Sequence, residues 1–256
     1  MGRFDGKVVL VTGGSSGLGL ASAELFIGEG ALVYIVDLDE RGVLTKLGPN
    51  ARFRKCDVSS PEDCETAIVA CLATYGRLDV LFHNAGIIHP LSKVAELPVA
   101  TFRRVTEIDL NSLFYLARVA IPQFKRQGKG NIVTTASTSG IRGDRGLCAY
   151  GAAKAGVINL TRIMALDHAE DGIRVNCVCP GNMVTPMTEG FRQNLGAHEA
   201  LVNSIPMKRG GDPFEVAKVV LFVASDEASY MTGQAVIVDG GWTAGTGCPD
   251  LPALLR

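Results

Sequence analysis

A tyrosine and a lysine four residues apart are the side chains of this sequence best suited to moving a proton. Tyr150 and Lys154 lie in a stretch predicted to be helical, where residues four apart share one face. A phenol with a pKa near 10 is a poor base at pH 7, and lowering that pKa by ~2 to 3 units takes roughly 3 to 4 kcal/mol of selective phenolate stabilisation. A nearby ammonium group favours the phenolate. The pair therefore indicates acid–base chemistry at an alcohol or ketone oxygen.

These side chains need elements that hold them together. Short β-branched runs alternate with longer helical stretches along the chain. The predicted strands are 7–12, 31–36, 52–56, 80–83, 131–136, 174–179 and 235–238, and the predicted helices are 17–29, 61–75, 98–127, 150–170 and 213–225. Seven strands joined by helical crossovers predict an α/β fold with one seven-stranded parallel sheet and helices on both faces.

The chain is expected to form one domain over residues 1–256. It has no Pro/Ser-rich linker or charge block that would divide it. One segment, about 181–206, departs from the alternation because it carries Gly, Pro and Met with only weak helical periodicity. An insertion of that length between a strand and a helix is usually functional, and we expect a mobile substrate lid.

The bulk properties exclude several classes of partner. Lys and Arg total 25 against 26 Asp and Glu, and no basic stripe is present, so nucleic acid is not an expected partner. The apolar runs are too short for a membrane span or an export signal. The seven cysteines are scattered along the chain, which indicates reduced thiols. The four histidines show no H-x-x-x-H spacing, so no metal site is expected. The expected location is cytoplasmic.

A glycine-rich turn from Thr12 to Gly19 joins the first predicted strand to the first predicted helix. Glycine is needed where the backbone bends sharply and where a pyrophosphate approaches it, with the phosphate charge at the helix N-terminus. A tight turn without any ligand would also select glycine. The predicted cofactor contacts in this turn are Gly13, Ser15, Ser16, Gly17, Leu18 and Gly19.

An aspartate at the end of the second predicted strand favours NAD(H) over NADP(H). Asp37 follows the glycines by about 20 residues, where a carboxylate accepts both ribose hydroxyls and repels a 2′-phosphate. Leu38 and Ser16 are uncharged, and Arg41 is expected on the solvent side of the next helix. The alternative role for Asp37 is a helix cap.

Two further predicted strands end in polar residues at the sheet edge where open α/β proteins bind ligands. Asp57 is expected to accept from an adenine amino group while Val58 packs on the ring. Asn84 and Gly86 follow the fourth strand as further cofactor contacts. An unliganded Asp turn and a purely structural Asn84 remain alternatives.

Together these patterns resemble the short-chain dehydrogenase/reductase family in its compact form, over about residues 5 to 243. The motifs are T-G-x-x-x-G-x-G at 12–19, N-N-A-G as His83-Asn84-Ala85-Gly86, Ser137 thirteen residues before Tyr150, Y-x-x-x-K at 150–154, P-G-x-x-x-T at 180–185, and Asn111 in the expected helix. His83 and Ala153 depart from the commonest family pattern.

The resemblance implies a Rossmann-type doubly wound sheet and an NAD(H)-dependent oxidoreductase that interconverts a secondary alcohol and a ketone. The implied catalytic residues are Asn111, Ser137, Tyr150 and Lys154. Ser137 would bond the substrate oxygen, Lys154 the nicotinamide ribose, and Asn111 a water linking Lys154 to solvent. Met183 and Thr185 would bind the carboxamide, although Thr185 also suits a plain loop role. Family members usually form homotetramers or dimers.

The expected substrate pocket is formed by Ser137, Leu147, Tyr150 and Met187. Its apolar walls favour a small alicyclic or aromatic substrate. Arg142 and Arg145 are expected to pair with Asp144 or lie exposed, rather than to bind a carboxylate.

Two other functions remain open: a 3-oxoacyl thioester reductase and a non-catalytic NAD(H)-sensing binding protein. Asp37 weakens the first, because it selects against NADPH, and the intact residues Ser137, Tyr150, Lys154 and Asn111 argue against the second. The apolar tail 245–256 is expected to pack on a neighbouring subunit.

Overall fold

A computed structural model describes residues 2–245, so most of the tail 245–256 lies outside the described residues. The strands are β1 (Val8–Thr12), β2 (Leu32–Asp37), β3 (Ala51–Lys55), β4 (Val80–His83), β5 (Gly130–Thr135), β6 (Ile173–Pro180) and β7 (Ala235–Val238). They form one sheet in the order β3-β2-β1-β4-β5-β6-β7, and every neighbouring pair is parallel. The predicted seven-stranded parallel sheet is confirmed.

Helices cover both faces of this sheet. They are α1 (Gly17–Gly28), α2 (Val43–Leu47), α3 (Pro61–Tyr75), α4 (Val99–Thr106), α5 (Ser112–Gln127), α6 (Cys148–His168), α7 (Glu189–Arg192), α8 (Leu195–Ser204) and α9 (Pro213–Ala224). Buried residues of α1 and α9 belong to one hydrophobic core, and those of α3, α5 and α6 belong to another. The doubly wound arrangement is therefore confirmed.

Strand β1 shows why the sheet requires both layers. All five of its residues are buried. Val8 and Leu10 face the core shared with α3, α5 and α6, whereas Val9 and Val11 face the core shared with α1 and α9. Because side chains alternate between the faces of a strand, a continuous apolar run is stable only when both faces are covered.

The helical stretch predicted over 98–127 is interrupted. A π-helical turn at Glu107–Asn111 separates α4 from α5. Such a turn inserts an extra residue into the helical repeat and changes which side chains face the core. This change of phase determines which residue of the segment reaches the carboxyl edge of the sheet.

The segment predicted as a lid contains two short helices, α7 and α8, between β6 and α9. The start of this segment is joined to the residues that follow it, since Gly211 N donates to Asn182 O and Val184 N donates to Gly211 O, both at 2.9 Å. Mobility of this segment stays a prediction. Within residues 2–245, no helix is long and apolar enough to cross a membrane, and the six cysteines found there are free.

Candidate active site

A cavity of about 490 Å³ opens at the carboxyl edge of the sheet, beyond the ends of β1 to β6. Most of the residues predicted for the site line it. They are Gly13, Ser16, Gly17, Leu18, Asp37, Asp57, Val58, Asn84, Gly86, Ser137, Leu147, Tyr150, Lys154, Met183, Thr185 and Met187. Ser15, Gly19 and Asn111 are not among the lining residues. One end of the cavity holds the glycine-rich turn, and the other holds Tyr150 and its neighbours.

The glycine-rich turn has the geometry of an anion cradle. Gly13 adopts a φ of 63°, a left-handed conformation that favours glycine. At Gly19 a Cβ would lie 2.1 Å from the carbonyl oxygen of Gly13, so no side chain fits there. The hydroxyl of Ser16 makes no capping hydrogen bond to α1. The first amides of α1 therefore lack a side-chain cap, and a bound pyrophosphate satisfies such groups.

The end of β2 presents opposite charges at one mouth of the cavity. Asp37 accepts hydrogen bonds from the backbone amides of Ser15 at 3.1 Å and Leu38 at 2.7 Å. Arg41 precedes α2 and lines the cavity, although its side chain is also exposed. The sequence predicts Arg41 on the solvent side of the next helix; it lies before that helix, exposed to solvent and also at the cavity. Asp37 and Arg41 favour opposite choices between a ribose hydroxyl and a 2′-phosphate.

Two of the predicted cofactor contacts also have internal hydrogen bonds. Asp57 accepts from the Ser59 hydroxyl at 2.7 Å and the Ser59 amide at 3.0 Å, and these bonds lower the pKa of its carboxyl. Asn84 donates to the carbonyls of Thr12 and Gly13 and accepts from the Thr135 hydroxyl. Asn84 therefore joins the ends of β1, β4 and β5 while lining the cavity.

The structure brings Tyr150, Lys154 and Ser137 to one wall of the cavity. Tyr150 and Lys154 lie one turn apart on α6, with the lysine Nζ 5.5 Å from the centroid of the tyrosine ring. Lys154 is buried and donates to the carbonyl of Thr135 at 3.0 Å. Ser137 follows β5, and its Oγ accepts from the amide of Ser139 at 3.1 Å. The Ser137 hydroxyl hydrogen remains able to donate to a ligand oxygen.

An aspartate that sequence reasoning missed completes this group. Asp109, in the π-helical turn, is fully buried, and its Oδ2 lies 3.2 Å from Lys154 Nζ. Its Oδ1 accepts from the amide of Ile87 at 2.8 Å. One signal was available, because Asp109 lies four residues from Val105 and from Leu113, on the apolar face of a predicted helix, where an acid requires a buried partner.

Asn111 lies elsewhere. Its amide donates to Glu107 at 2.8 Å, and Glu107 also accepts from the hydroxyl of Tyr115. No hydrogen bond or ion pair found within residues 2–245 joins Asn111 directly to Lys154, and a link through water stays a prediction. Asp109, two residues earlier, contacts the lysine directly.

Burial and charge act against each other in this group. Burial raises the pKa of Tyr150, the Lys154 ammonium opposes that rise, and Asp109 adds to it. Burial alone would lower the pKa of Lys154, but Asp109 and Tyr150 keep it above its ordinary value. Burial raises the pKa of the Asp109 carboxyl, and Lys154 opposes this effect. Lys154 is therefore a charged ammonium, and its attraction favours the ionised form of the buried Asp109 carboxyl.

His83 forms a hydrogen bond with Ser112, the residue that follows the π-helical turn. The Ser112 hydroxyl donates to the carbonyl of Ile108 at 2.6 Å, so the 2.7 Å contact of Ser112 with His83 Nε2 makes the histidine the donor. Burial, followed by the nearby Lys154 charge, lowers the pKa of His83 to about 3. His83 is thus neutral and structural near neutral pH.

The walls beyond Tyr150 are mostly apolar. They include two residues outside the predicted pocket, Leu201 of α8 and Trp242 near the end of the described chain. Arg142 neither lines the cavity nor pairs with Asp144. It donates to the carbonyls of Thr243 and Gly245, which ties the segment that carries Trp242 to the loop before α6.

Comparisons with known proteins agree with this geometry. A family model described as enoyl-(acyl carrier protein) reductase matches residues 13–243. The chain is 40% identical over 253 residues to meso-2,3-butanediol dehydrogenase of Serratia marcescens, covering 97% of this chain and 99% of the relative. It is 37% identical over 248 residues to cyclohexanol dehydrogenase of Acinetobacter sp. (strain SE19), covering 94% and 97%.

A solved structure of similar fold is the 3-ketoacyl-(acyl-carrier-protein) reductase from Brucella melitensis complexed with NADH. It is 33% identical to this chain, with a TM-score of 0.88, and the match covers 94% of this chain and 99% of that one. The similarity thus extends over nearly the whole length of each protein, including the cavity and both of its ends.

Proposed function

The chain belongs to the short-chain dehydrogenase/reductase family, and on that premise we propose that it interconverts a secondary alcohol and a ketone with NAD(H). The proposed substrate is a small, largely apolar alicyclic or aromatic molecule. The observation that carries this proposal is the grouping of Tyr150, Lys154 and Ser137 on one wall of a cavity whose other walls are mostly apolar.

The protein's part of the reaction is proton transfer and positioning. The bound nicotinamide supplies the hydride acceptor or donor. Tyr150 takes the hydroxyl proton of an alcohol or returns a proton to a ketone oxygen. The free hydrogen of the Ser137 hydroxyl donates to the same oxygen and holds it beside the phenol. Lys154, held by Thr135 and Asp109, places a positive charge near the phenol that opposes the rise in the Tyr150 pKa caused by burial.

The glycine-rich turn and the end of β2 would hold the dinucleotide. The uncapped amides of α1 suit the pyrophosphate, and Asp37 suits the two ribose hydroxyls of NAD(H). Arg41 at the same mouth suits a 2′-phosphate and is the residue that argues for NADP(H). We favour NAD(H), because Asp37 is anchored by two amides beside the glycine-rich turn whereas the Arg41 side chain is exposed.

A 3-oxoacyl thioester reductase is the second candidate, favoured by the similarity to the Brucella melitensis enzyme. A non-catalytic NAD(H) sensor is disfavoured, because it would not need the acid–base group. We also propose a homodimer or homotetramer, since Phe114 on α5 and Leu166 on α6 are 54% and 81% exposed. The proposed location is cytoplasmic, since the six cysteines within residues 2–245 are free thiols.

The test is an absorbance screen at the NADH band with both cofactors. The panel contains vicinal diols, cyclohexanols, cyclic ketones and a 3-oxoacyl thioester. Turnover of a cyclic alcohol or ketone with NAD(H) supports the proposal. Turnover of the thioester alone favours the reductase, and tight NADH binding without turnover of any compound favours the sensor.

A substitution at Asp37 tests the choice between NAD(H) and NADP(H). Asp37→Ala removes the carboxylate and leaves Arg41 in place, so the preference for NAD(H) over NADP(H) should fall by roughly ten- to a hundredfold in kcat/KM, the size of one lost charged contact. Arg41→Ala is the matched control and should leave the preference unchanged or increase it. A parent protein that already prefers NADPH contradicts the role given to Asp37.

A further inference from the structure

The Asp109–Lys154 pair is the only ion pair within residues 2–245 whose side chains are both almost fully buried. Their side chains are 0% and 3% exposed, whereas every other charged pair keeps at least 12% of each side chain in solvent. A buried carboxylate is costly unless it is compensated, and its field is strong because little water screens it. The Asp109 charge therefore acts strongly on the neighbouring phenol.

The contact is held from three sides. The π-helical turn carries Asp109, α6 carries Lys154, and the end of β4 supplies Gly86 above them. A Cβ at Gly86 would lie 3.0 Å from Asp109 Oδ2 and 3.2 Å from Lys154 Nζ, so the pair is packed closely against the backbone that follows β4. The second oxygen of Asp109 is held by the amide of Ile87. The carboxylate is thus fixed in place.

Charged and titratable groups face Tyr150 and Lys154 from every packed element. Lys154 supplies one positive charge from α6. Asp109 and Asp144 supply two negative charges from the π-helical turn and the loop before α6. His83 of β4 is neutral, and Cys179 of β6 is a buried thiol whose pKa is raised by its hydrogen bond to Cys177 and by burial. Lys154, Asp109 and Asp144 together therefore place no net positive charge near the phenol.

We propose that Asp109 is a positioning residue: its buried carboxylate neutralises the Lys154 ammonium, so that the Tyr150 phenol keeps its proton through the neutral pH range. A protonated phenol is the form that donates to a ketone oxygen. The consequence for catalysis rests on the proposed function. A protonated phenol favours carbonyl reduction at neutral pH and confines efficient alcohol oxidation to alkaline pH.

The first test reads the proton on Tyr150 directly and needs no substrate. The absorbance of the phenolate is titrated with pH in the full-length protein and in Tyr150→Phe, and the difference isolates this tyrosine among the five of the chain. The same titration is then made with Asp109→Asn and with the double variant Asp109→Asn, Tyr150→Phe. We expect the midpoint of the Tyr150 signal to fall by about one pH unit or more once Lys154 is no longer neutralised. An unchanged or higher midpoint overturns the proposal.

Asn is nearly the same shape as Asp and keeps an oxygen that accepts from Ile87, so the substitution removes charge with little change in packing. Glu107→Gln is the matched control, because its carboxylate lies in the same turn but contacts Asn111 and Tyr115. An equal fall of the midpoint in that control overturns the assignment to Asp109. A Tyr150 phenolate already present at neutral pH in the unaltered protein overturns it even if Asp109→Asn does not fold.

The second test follows the pH dependence of turnover. In Asp109→Asn, the rising limb of the pH profile of kcat/KM for alcohol oxidation should move to lower pH. Oxidation at neutral pH then rises about tenfold for each pH unit by which the limb moves, while reduction changes less. A lower phenolate midpoint without turnover of any compound supports the role of Asp109 and overturns the proposed oxidoreductase function. Equal loss in both directions with an unchanged pH profile overturns the role of Asp109.

Discussion

The two edges of the sheet use charged residues in different ways. At the amino edge a groove of about 680 Å³ is bordered by charges that reach solvent. There Asp79 lies 2.6 Å from Arg77 and 3.6 Å from Lys7, and Lys129 lies 2.7 Å from Asp226. At the carboxyl edge Lys154 lines the cavity and pairs with Asp109, and both side chains are buried. The amino edge thus has mutually paired charges that reach solvent, and the carboxyl edge has a charge pair buried from solvent.

The difference follows from the construction of a parallel sheet. At the amino edge the strands begin, and Asp79 connects two of them by accepting from the amide of Val8 at 2.9 Å. The Asp79 carboxylate therefore stabilises the contact between β1 and the start of β4. At the carboxyl edge the strands end in loops, and the first turns of α1 and α6 open toward the cavity, so groups there face a ligand.

The largest effect is expected for the phenol at the carboxyl edge. Tyr150→Phe removes the transferred proton and little else, so turnover on a confirmed substrate should fall by roughly 10² to 10⁴-fold while NADH binding stays close to that of the parent. Steady-state rates and NADH fluorescence titrations measure the two quantities. Turnover equal to that of the parent would remove Tyr150 from the mechanism.

An intermediate effect is expected at the amino edge, and on stability instead of turnover. Asp79→Asn weakens the contacts with Arg77, Lys7 and the Val8 amide, and should lower the free energy of unfolding by about 1 to 3 kcal/mol. Chemical denaturation measures the change, and kcat/KM of the folded variant should remain within about twofold of the parent, as for a surface site away from the chemistry. A large loss of kcat/KM at unchanged stability would break the contrast between the edges.

The smallest effect is expected for the most exposed pair. Lys129 and Asp226 keep 62% and 70% of their side chains in solvent. Lys129→Ala should therefore cost less than ~1 kcal/mol, and the cost should shrink further in high salt. Denaturation at two salt concentrations tests this. A salt-independent loss as large as that of Asp79→Asn would mean that exposure does not decide what these pairs contribute.

Much of the site could be predicted because it depends on local patterns. The spacing of Tyr150 and Lys154 places them on one face of any helix, and the glycine-rich turn follows from its position after a strand. Asp109 shows where such reasoning ends. A regular helix over 98–127 does not include the π-helical turn, and in that turn Asp109 makes a direct contact with Lys154. A sequence pattern based on a constant helical period does not show where an extra residue is inserted into a helix.

The sequence by itself determined the alternation of strands and helices, the parallel sheet and the residues at its carboxyl edge, because hydrophobic periodicity and turn residues act over short distances. Only the tertiary structure decided which groups meet across that edge. The contact of Asp109 with Lys154, the place of Arg41 at the cavity mouth and the bonds of Arg142 to the segment near Trp242 join residues from separate elements. The packing of those elements sets such distances, and in a buried site a distance of a few ångströms decides where the proton resides.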